Sequence, residues 1–368
     1  MNTKGFLSIV VAAALVTLFI PGSRPAAAET NNSASIGAVF TMTNSASDNS
    51  ILAYDRAANG SLSLVGSYST NGLGTGVSLG SQGSIVLTSG HQWLLAVNAG
   101  SNEISVFRVN ENPVLSLTLT DKVSSNGIMP ISITTYGNLV YVLNTGSTSA
   151  GNISGYYLNS GTLSPISGSI QPLSGVTSAA QISFNPTGTL LMVTEKTTNV
   201  IDTYTINSQG VASAPILNTS HGTTPFGFAT DNKGHIIVSE AASGALSSYS
   251  ALASGSLTTV SGSVTDGYAA ACWVVIPSNG KLAFTTNAHS NTISSYRIAS
   301  DGTLSLLQAL STNTDAAPTE MAMGQNSKYL SVLDSGADEI QTFAVNADGT
   351  LDLIQTVVTS GSVGLAAN

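Results

Sequence analysis

The chain has 368 residues, of which only 8% are charged, and ten Lys and Arg stand against 19 Asp and Glu for a formal net charge of −9 at pH 7. So few cations leave no basic stripe for nucleic acid, and the negative field disfavours heavily phosphorylated ligands. A single cysteine, Cys272, excludes an internal disulfide and reads as a small buried side chain beside Trp273.

Residues 1–28 have the layout of an export signal, with Lys4 in a positive n-region, an apolar run over 6–20 and Ala26-Ala27-Ala28 as the cleavage site. Fifteen apolar-leaning residues are short for a bilayer span, and no second such run follows. A secreted or periplasmic location is therefore expected, without membrane association after cleavage. Residues 29–368 contain no linker or charge block and are expected to form one domain, as a monomer.

An aromatic recurs in the same local frame at Tyr54, Phe107, Tyr156, Tyr204, Tyr249, Tyr296 and Phe343, at intervals of 53, 49, 48, 45, 47 and 47 residues. Each stands three residues after an aliphatic, from Ile51 to Ile340, and six of the seven precede a Gly-apolar turn such as Gly302-Thr303-Leu304. A period near 50 residues signals a propeller or another repeat array. The sixth copy resolves into four strand-like pieces at 270–276, 281–286, 292–298 and 304–310. In 292–298, Ile293, Ser295 and Arg297 alternate with Thr292, Ser294, Tyr296 and Ile298, the period of a strand with two distinct faces.

Seven repeats of four antiparallel strands describe an all-β, seven-bladed β-propeller. The first repeat has pieces at 37–43, 51–56 and 62–69 but no inner strand ahead of them. Past the last outer strand, 351–358, the tail 361–367 is left over. It is expected to supply blade one's inner strand and close the ring.

Measured back from the aromatic, the second strand of every repeat ends at Asn44, Asn98, Asn144, Glu195, Glu240, Asn287 or Asp334. These seven are expected to ring one mouth of the central channel. Asn and Asp also cap tight turns, but Glu has no such preference, so Glu195 and Glu240 are the informative pair. Two carboxylates at a channel mouth can raise one another's pKa and supply a general base, or hold a divalent cation. The inner strands begin near the same mouth with Gln181, Phe226, Trp273 and Glu320, a mixture of apolar walls and polar contacts suited to a small molecule. Packing between blades is the alternative role for Phe226 and Trp273. His91, His221, His235 and His289 show no metal-ligand spacing, and there is no nucleophile elbow, P-loop or dinucleotide fingerprint.

Several stretches resemble the lactonase-type seven-bladed propeller family, which includes 6-phosphogluconolactonase and 3-carboxymuconate-cyclase-like proteins, and most of all its exported, functionally unassigned branch. They are Phe184-Asn185-Pro186-Thr187-Gly188 leading to Glu195, Pro225-Phe226-Gly227-Phe228 leading to Ser239-Glu240-Ala241, Ala271-Cys272-Trp273-Val274-Val275, and Thr286-Asn287 before Thr292-Ile293-Ser294. The resemblance implies a Pro-Arg-His run ahead of the Phe-x-Pro-x-Gly segment, and Ala179-Ala180-Gln181 stands there instead. The family's Arg and His are thus replaced by Ala180 and Gln181, and Gln cannot take a proton.

The expected function is a secreted hydrolase acting on a neutral or weakly acidic lactone or sugar-derived ester. Glu195 or Glu240 would activate water and Gln181 would orient the carbonyl, with Phe226, Trp273, Asn287, Glu320 and Asp334 contacting the substrate. The alternative is a non-catalytic extracellular propeller that binds carbohydrate or protein partners.

Overall fold

Thr292–Ile298, rich in β-branched and aromatic residues, is the third strand of its blade. It pairs antiparallel with Leu282–Asn287 on one side and Leu304–Asn313 on the other. Ala271–Val275 completes the blade as its inner strand. Thr292 through Tyr296 are all buried, so both faces of the strand are covered. The alternation visible in the residues separates two neighbouring blades, rather than core from water. In this computed structural model, residues 36–368 are described apart from 112–113, 147–149, 176–177, 325 and 360–361, together with Met1. The proposed export signal lies outside them.

Seven such sheets form the propeller, and the described residues contain strands and no helix. In blade three the outer position is shared by Thr162–Pro165 and Gln171–Pro172, both paired with Asn152–Asn159. The seven repeat aromatics are at most 2% exposed and sit at equivalent positions of the third strands. Where the aromatic is Tyr, its hydroxyl can fasten a connection between blades. Tyr156 donates to the Ser124 carbonyl (2.8 Å) and Tyr204 to that of Pro172 (3.0 Å), while Tyr249 accepts from the His221 N–H (2.8 Å).

The glycine turn after each aromatic also has a tertiary role. Gly302 has φ +85°, and a Cβ there would lie 2.5 Å from the His235 ring of the preceding blade. Gly60, at φ +90°, stands in the same relation to Tyr329, which belongs to blade seven because the ring is closed. Only glycine combines that backbone conformation with so close an approach.

Closure follows the expectation. Val363–Ala367 pairs with Gly37–Met42 in the register Val39↔Ala367, Phe40↔Ala366 and Met42↔Val363, making the C-terminal strand the inner strand of blade one. The Asn368 carbonyl also accepts from Arg56 Nη2 (2.7 Å).

Candidate functional site

The register puts the second-strand ends on the face where the inner strands begin, as expected. Ala179 lies opposite Glu195, Pro225 opposite Glu240, Ala271 opposite Asn287 and Pro318 opposite Asp334. Their side chains, however, are turned into the protein. All seven ring residues, Asn44 through Asp334, are at most 1% exposed, and none lines the central channel.

Six of the seven hydrogen-bond to a connection between blades, and Asn287 to the third strand of its own blade. Glu195 accepts from the Gly175 N–H (3.0 Å) and the Thr198 hydroxyl (2.7 Å). Glu240 accepts from the Gly222 N–H (2.7 Å) and from the hydroxyls of Ser247 (2.5 Å) and Ser263 (2.6 Å). Gly175 and Gly222 occupy equivalent places in the segments that lead into the two blades, and a Cβ on either would overlap the carboxylate. Gly72 and Gly127 stand in the same relation to Asn98 and Asn144. Asn287 donates to the hydroxyls of Thr292 (3.1 Å) and Ser294 (2.8 Å). Beside Glu195, burial pushes the Asp202 carboxyl up to about 7, with the neighbouring carboxylate adding to the effect. Burial does the same to Asp334, also up to about 7, against an opposing pull from the Asp315 N–H.

The mouth that these residues surround is filled by the protein itself. Six of the connections between blades span four to six residues, but residues 70–84 separate the outer strand of blade one from the inner strand of blade two. The later part of this segment, 78–84, crosses the channel as a plug. Lys196 Nζ donates to the Gly80 carbonyl (2.7 Å), and Trp273 Nε1 to that of Ser81 (2.8 Å). The Ser81 hydroxyl donates to the Ile131 carbonyl (2.8 Å). Gln82 reaches across to blade six, where its amide donates to the Val274 carbonyl (2.8 Å) and accepts from the Val274 N–H (3.0 Å). The Gly83 N–H donates to Glu320 Oε1 (2.9 Å).

The aromatic wall expected to hold a ligand therefore packs beside the plug. Phe226 and Trp273 are both buried, in an edge-on pair with centroids 4.8 Å apart, and the Lys196 ammonium lies 5.1 Å from the Phe226 centroid. Burial lowers the Lys196 pKa and pushes the Cys272 thiol up to about 12. Gln181 makes the same amide-to-backbone pair as Gln82, donating to the Phe228 carbonyl (2.9 Å) and accepting from its N–H (2.6 Å).

Below the plug lies a channel of about 590 Å³. Its closed end is made by Gln82, Gln181 and Glu320. Toward the other end it is lined by the last residues of the inner strands, among them Thr135, Ile276 and Met323, so it opens on the face opposite the ring. Its wall mixes aliphatic side chains with Thr, Ser and Gln. Glu320 is the one acidic group among the lining residues, and no Lys or Arg joins it. It is 4% exposed, and burial pushes its carboxyl up to about 8. At neutral pH it is a protonated acid at the floor of a cavity with a mixed polar and aliphatic lining, able to donate to an oxygen or, once ionised, to accept from water. Among the described residues no group of three or more His, Cys, Asp or Glu is arranged to hold a metal ion.

Gln181 and Glu320 thus meet at the channel, Phe226 and Trp273 meet at the plug, and Glu195, Glu240, Asn287 and Asp334 lie apart from both. Gln82 and Lys196 had no assigned part in the site. Gln82 has a sequence signal, as a Gln just ahead of the inner strand Ile85–Leu87.

A family model described as a seven-bladed β-propeller lactonase matches residues 38–176 and 272–364. No curated protein matches the chain. Among solved structures, the chain is similar to a Bacteroides uniformis protein provisionally called a 6-phosphogluconolactonase, with 17% identity over 90% of this chain and 99% of that one and a TM-score of 0.73. It is also similar to the periplasmic gluconolactonase of Pseudomonas aeruginosa, with 15% identity over 90% and 98% of the two chains and a TM-score of 0.70. A protein of Lactobacillus plantarum gives 15% identity, 90% and 99% coverage and a TM-score of 0.70. At these identities the likeness establishes a common fold.

Proposed function

Since the chain belongs to the lactonase family of seven-bladed β-propellers, we propose that it hydrolyses a neutral or weakly acidic lactone or sugar-derived ester inside the central channel. The observation that carries this is Glu320, a buried carboxyl at the channel floor whose proton is held up to about pH 8. In the reaction a water oxygen bonds to the lactone carbonyl carbon and the bond from that carbon to the ring oxygen breaks. Glu320 gives its proton to the departing ring oxygen and regains one from the attacking water, so the product is the open hydroxy acid. A group whose pKa lies near the working pH suits both transfers.

This moves the proton-carrying role to Glu320 from Glu195 and Glu240, whose oxygens already receive hydrogen bonds from the blade connections and from hydroxyls of their own blades. Those two hold the segments that lead into blades four and five. Gln181, its amide engaged by Phe228, holds the closed end in shape rather than orienting the carbonyl.

The test is a panel of sugar lactones assayed with the wild type and with Glu320→Gln. Turnover by the wild type is expected, with a loss in the variant of about 10²-fold or more. Equal rates in the two proteins would refute the role of Glu320. A second reading, ligand binding without turnover, is favoured by Ala180 and Gln181 standing where the family is expected to carry Arg and His. Thermal stabilisation by sugar acids with no lactone turned over would establish it. The leader pattern of residues 1–28 supports an extracytoplasmic location, checked by fractionating cells that express the full chain.

A further inference from the structure

The geometry points to a second ligand site, a cavity of about 240 Å³ between blades five and six that takes a small organic oxyanion, a carboxylate or a phosphate monoester. It is lined by residues 231–233 of blade five and by residues 279–281 and 297–300 of blade six. Lys233, Lys281 and Arg297 all face it, three of the ten Lys and Arg in a chain with 19 Asp and Glu. In so acidic a protein, three cations around one small cavity need an account.

Neighbouring acids do not supply it. Asp231 lines the cavity, but it is 3% exposed and its carboxylate is engaged by His235 Nδ1 (2.8 Å) and by the N–H groups of Lys233 and His235 (both 2.9 Å). Asp301, beside the lining residue Ser300, accepts from the N–H of Thr303 in its own turn (3.0 Å). Among the described residues the ion pairs are Lys122–Glu103 and His235–Asp231, and neither includes one of the three cations. Lys233 Nζ donates to the Ser300 carbonyl (2.8 Å), which leaves it two further N–H groups.

The walls are fixed before any ligand arrives. The Ile298 N–H donates to the Lys281 carbonyl (2.9 Å), and Asn232 Nδ2 ties the blade-five turn to the Ser278 carbonyl of blade six (2.7 Å). Arg297 offers a planar fork that matches a carboxylate or phosphate, and Lys281 a point charge beside it. Ile298 and Ala299 give an apolar wall for a carbon skeleton. The net negative field of the protein favours a single compact anionic group over a polyanion. The turns that build the cavity join inner to second strands and, at 297–300, a third to an outer strand, so it lies on the face where the channel opens.

Calorimetric titration of the full chain with gluconate, glucose 6-phosphate and neutral glucose tests this, using the wild type, Glu320→Gln and the double variant Lys281→Gln with Arg297→Gln. Both exchanged cations are exposed, so the double variant is expected to fold, and its melting curve checks that it has. At least one anion should bind while glucose does not, and added NaCl should weaken the binding. Affinity should fall by about tenfold or more in the double variant and persist in Glu320→Gln. Failure of both anions to bind, equal binding of glucose, or undiminished affinity in the double variant would overturn the proposal. Loss of binding only in Glu320→Gln would also do so, by moving the anion to the channel.

Discussion

Replacing Glu320 by Gln should stabilise the protein at alkaline pH while cutting turnover about 10²-fold or more. Burial raises the carboxyl to about 8 from an ordinary 4.5, against a smaller opposing pull from the Gly83 N–H. The unfolded chain ionises this group at its ordinary value. Between those two pH values the unfolded state releases a proton that the folded state keeps, so stability falls as pH rises through the window and is level on either side. At about 1.4 kcal/mol per pH unit, the whole window corresponds to at most about 5 kcal/mol. Gln is neutral throughout, nearly equal in volume, and keeps an oxygen to accept from Gly83, so it removes this slope alone. Asp202 and Asp334, both pushed up to about 7, add slopes of the same sign to both proteins and cancel in the difference. Scanning calorimetry from about pH 4 to about pH 9 should find the two melting temperatures close together at the acid end. By the alkaline end the variant should lead by at most about 7 °C, taking ~2 cal/mol/K of unfolding entropy per residue. Parallel curves would mean that Glu320 is ionised in the folded protein, and its role as proton donor would fall with that result.

Removing residues 363–368 takes the inner strand from blade one and the Asn368 carbonyl from Arg56, so the denaturation midpoint should drop sharply. An unchanged midpoint would show that closure contributes nothing. Glu195→Gln and Glu240→Gln each turn an amide NH₂ toward groups that now donate to a carboxylate, costing about 1–3 kcal/mol per site. Turnover per folded molecule should survive in both, and a selective loss of turnover at undiminished stability would return these residues to the chemistry. With its thiol pushed up to about 12, Cys272 should resist an aromatic disulfide reagent in the native protein and react fully on unfolding. Rapid reaction of the native protein would contradict its burial.

The frame of the molecule was legible because it repeats. Seven aromatics in register, six of them ahead of a Gly-apolar turn, leave little choice but a ring of blades, and the unpaired tail after Val358 supplied its closure. The ring of second-strand ends was also located on the correct face. What those side chains do was not legible, because the partners of Glu195 and Glu240 include backbone N–H groups of glycines 18 to 20 residues away, which no side-chain pattern announces. The plug was hidden for the same reason, since Gln82 and Gly83 meet Val274 and Glu320 across 192 and 237 residues. One trace of it was present in the 53-residue interval from Tyr54 to Phe107, the longest of the six. The cationic cavity left no trace at all, because Lys233, Lys281 and Arg297 come together only when two blades stand side by side.

That longer interval has a chemical consequence. A propeller whose connections are all short leaves its channel open at both ends, and a carboxyl inside would be hydrated from either side. Here the extra residues between blades one and two close the end nearest the ring. They carry the Gly83 N–H to Glu320 and seat Trp273 and Lys196 against backbone carbonyls. The result is a blind cavity with its carboxyl at the bottom, where water has one way in. Burial is the largest cause of the raised Glu320 pKa, and the plug is part of that burial. The same segment thus fills the mouth marked by Phe226 and Trp273, turns the opening to the opposite face, and covers the carboxyl that lactone hydrolysis in the channel would use. These effects have one cause, and a lactonase-family propeller without this insertion would need another way to keep a channel acid neutral.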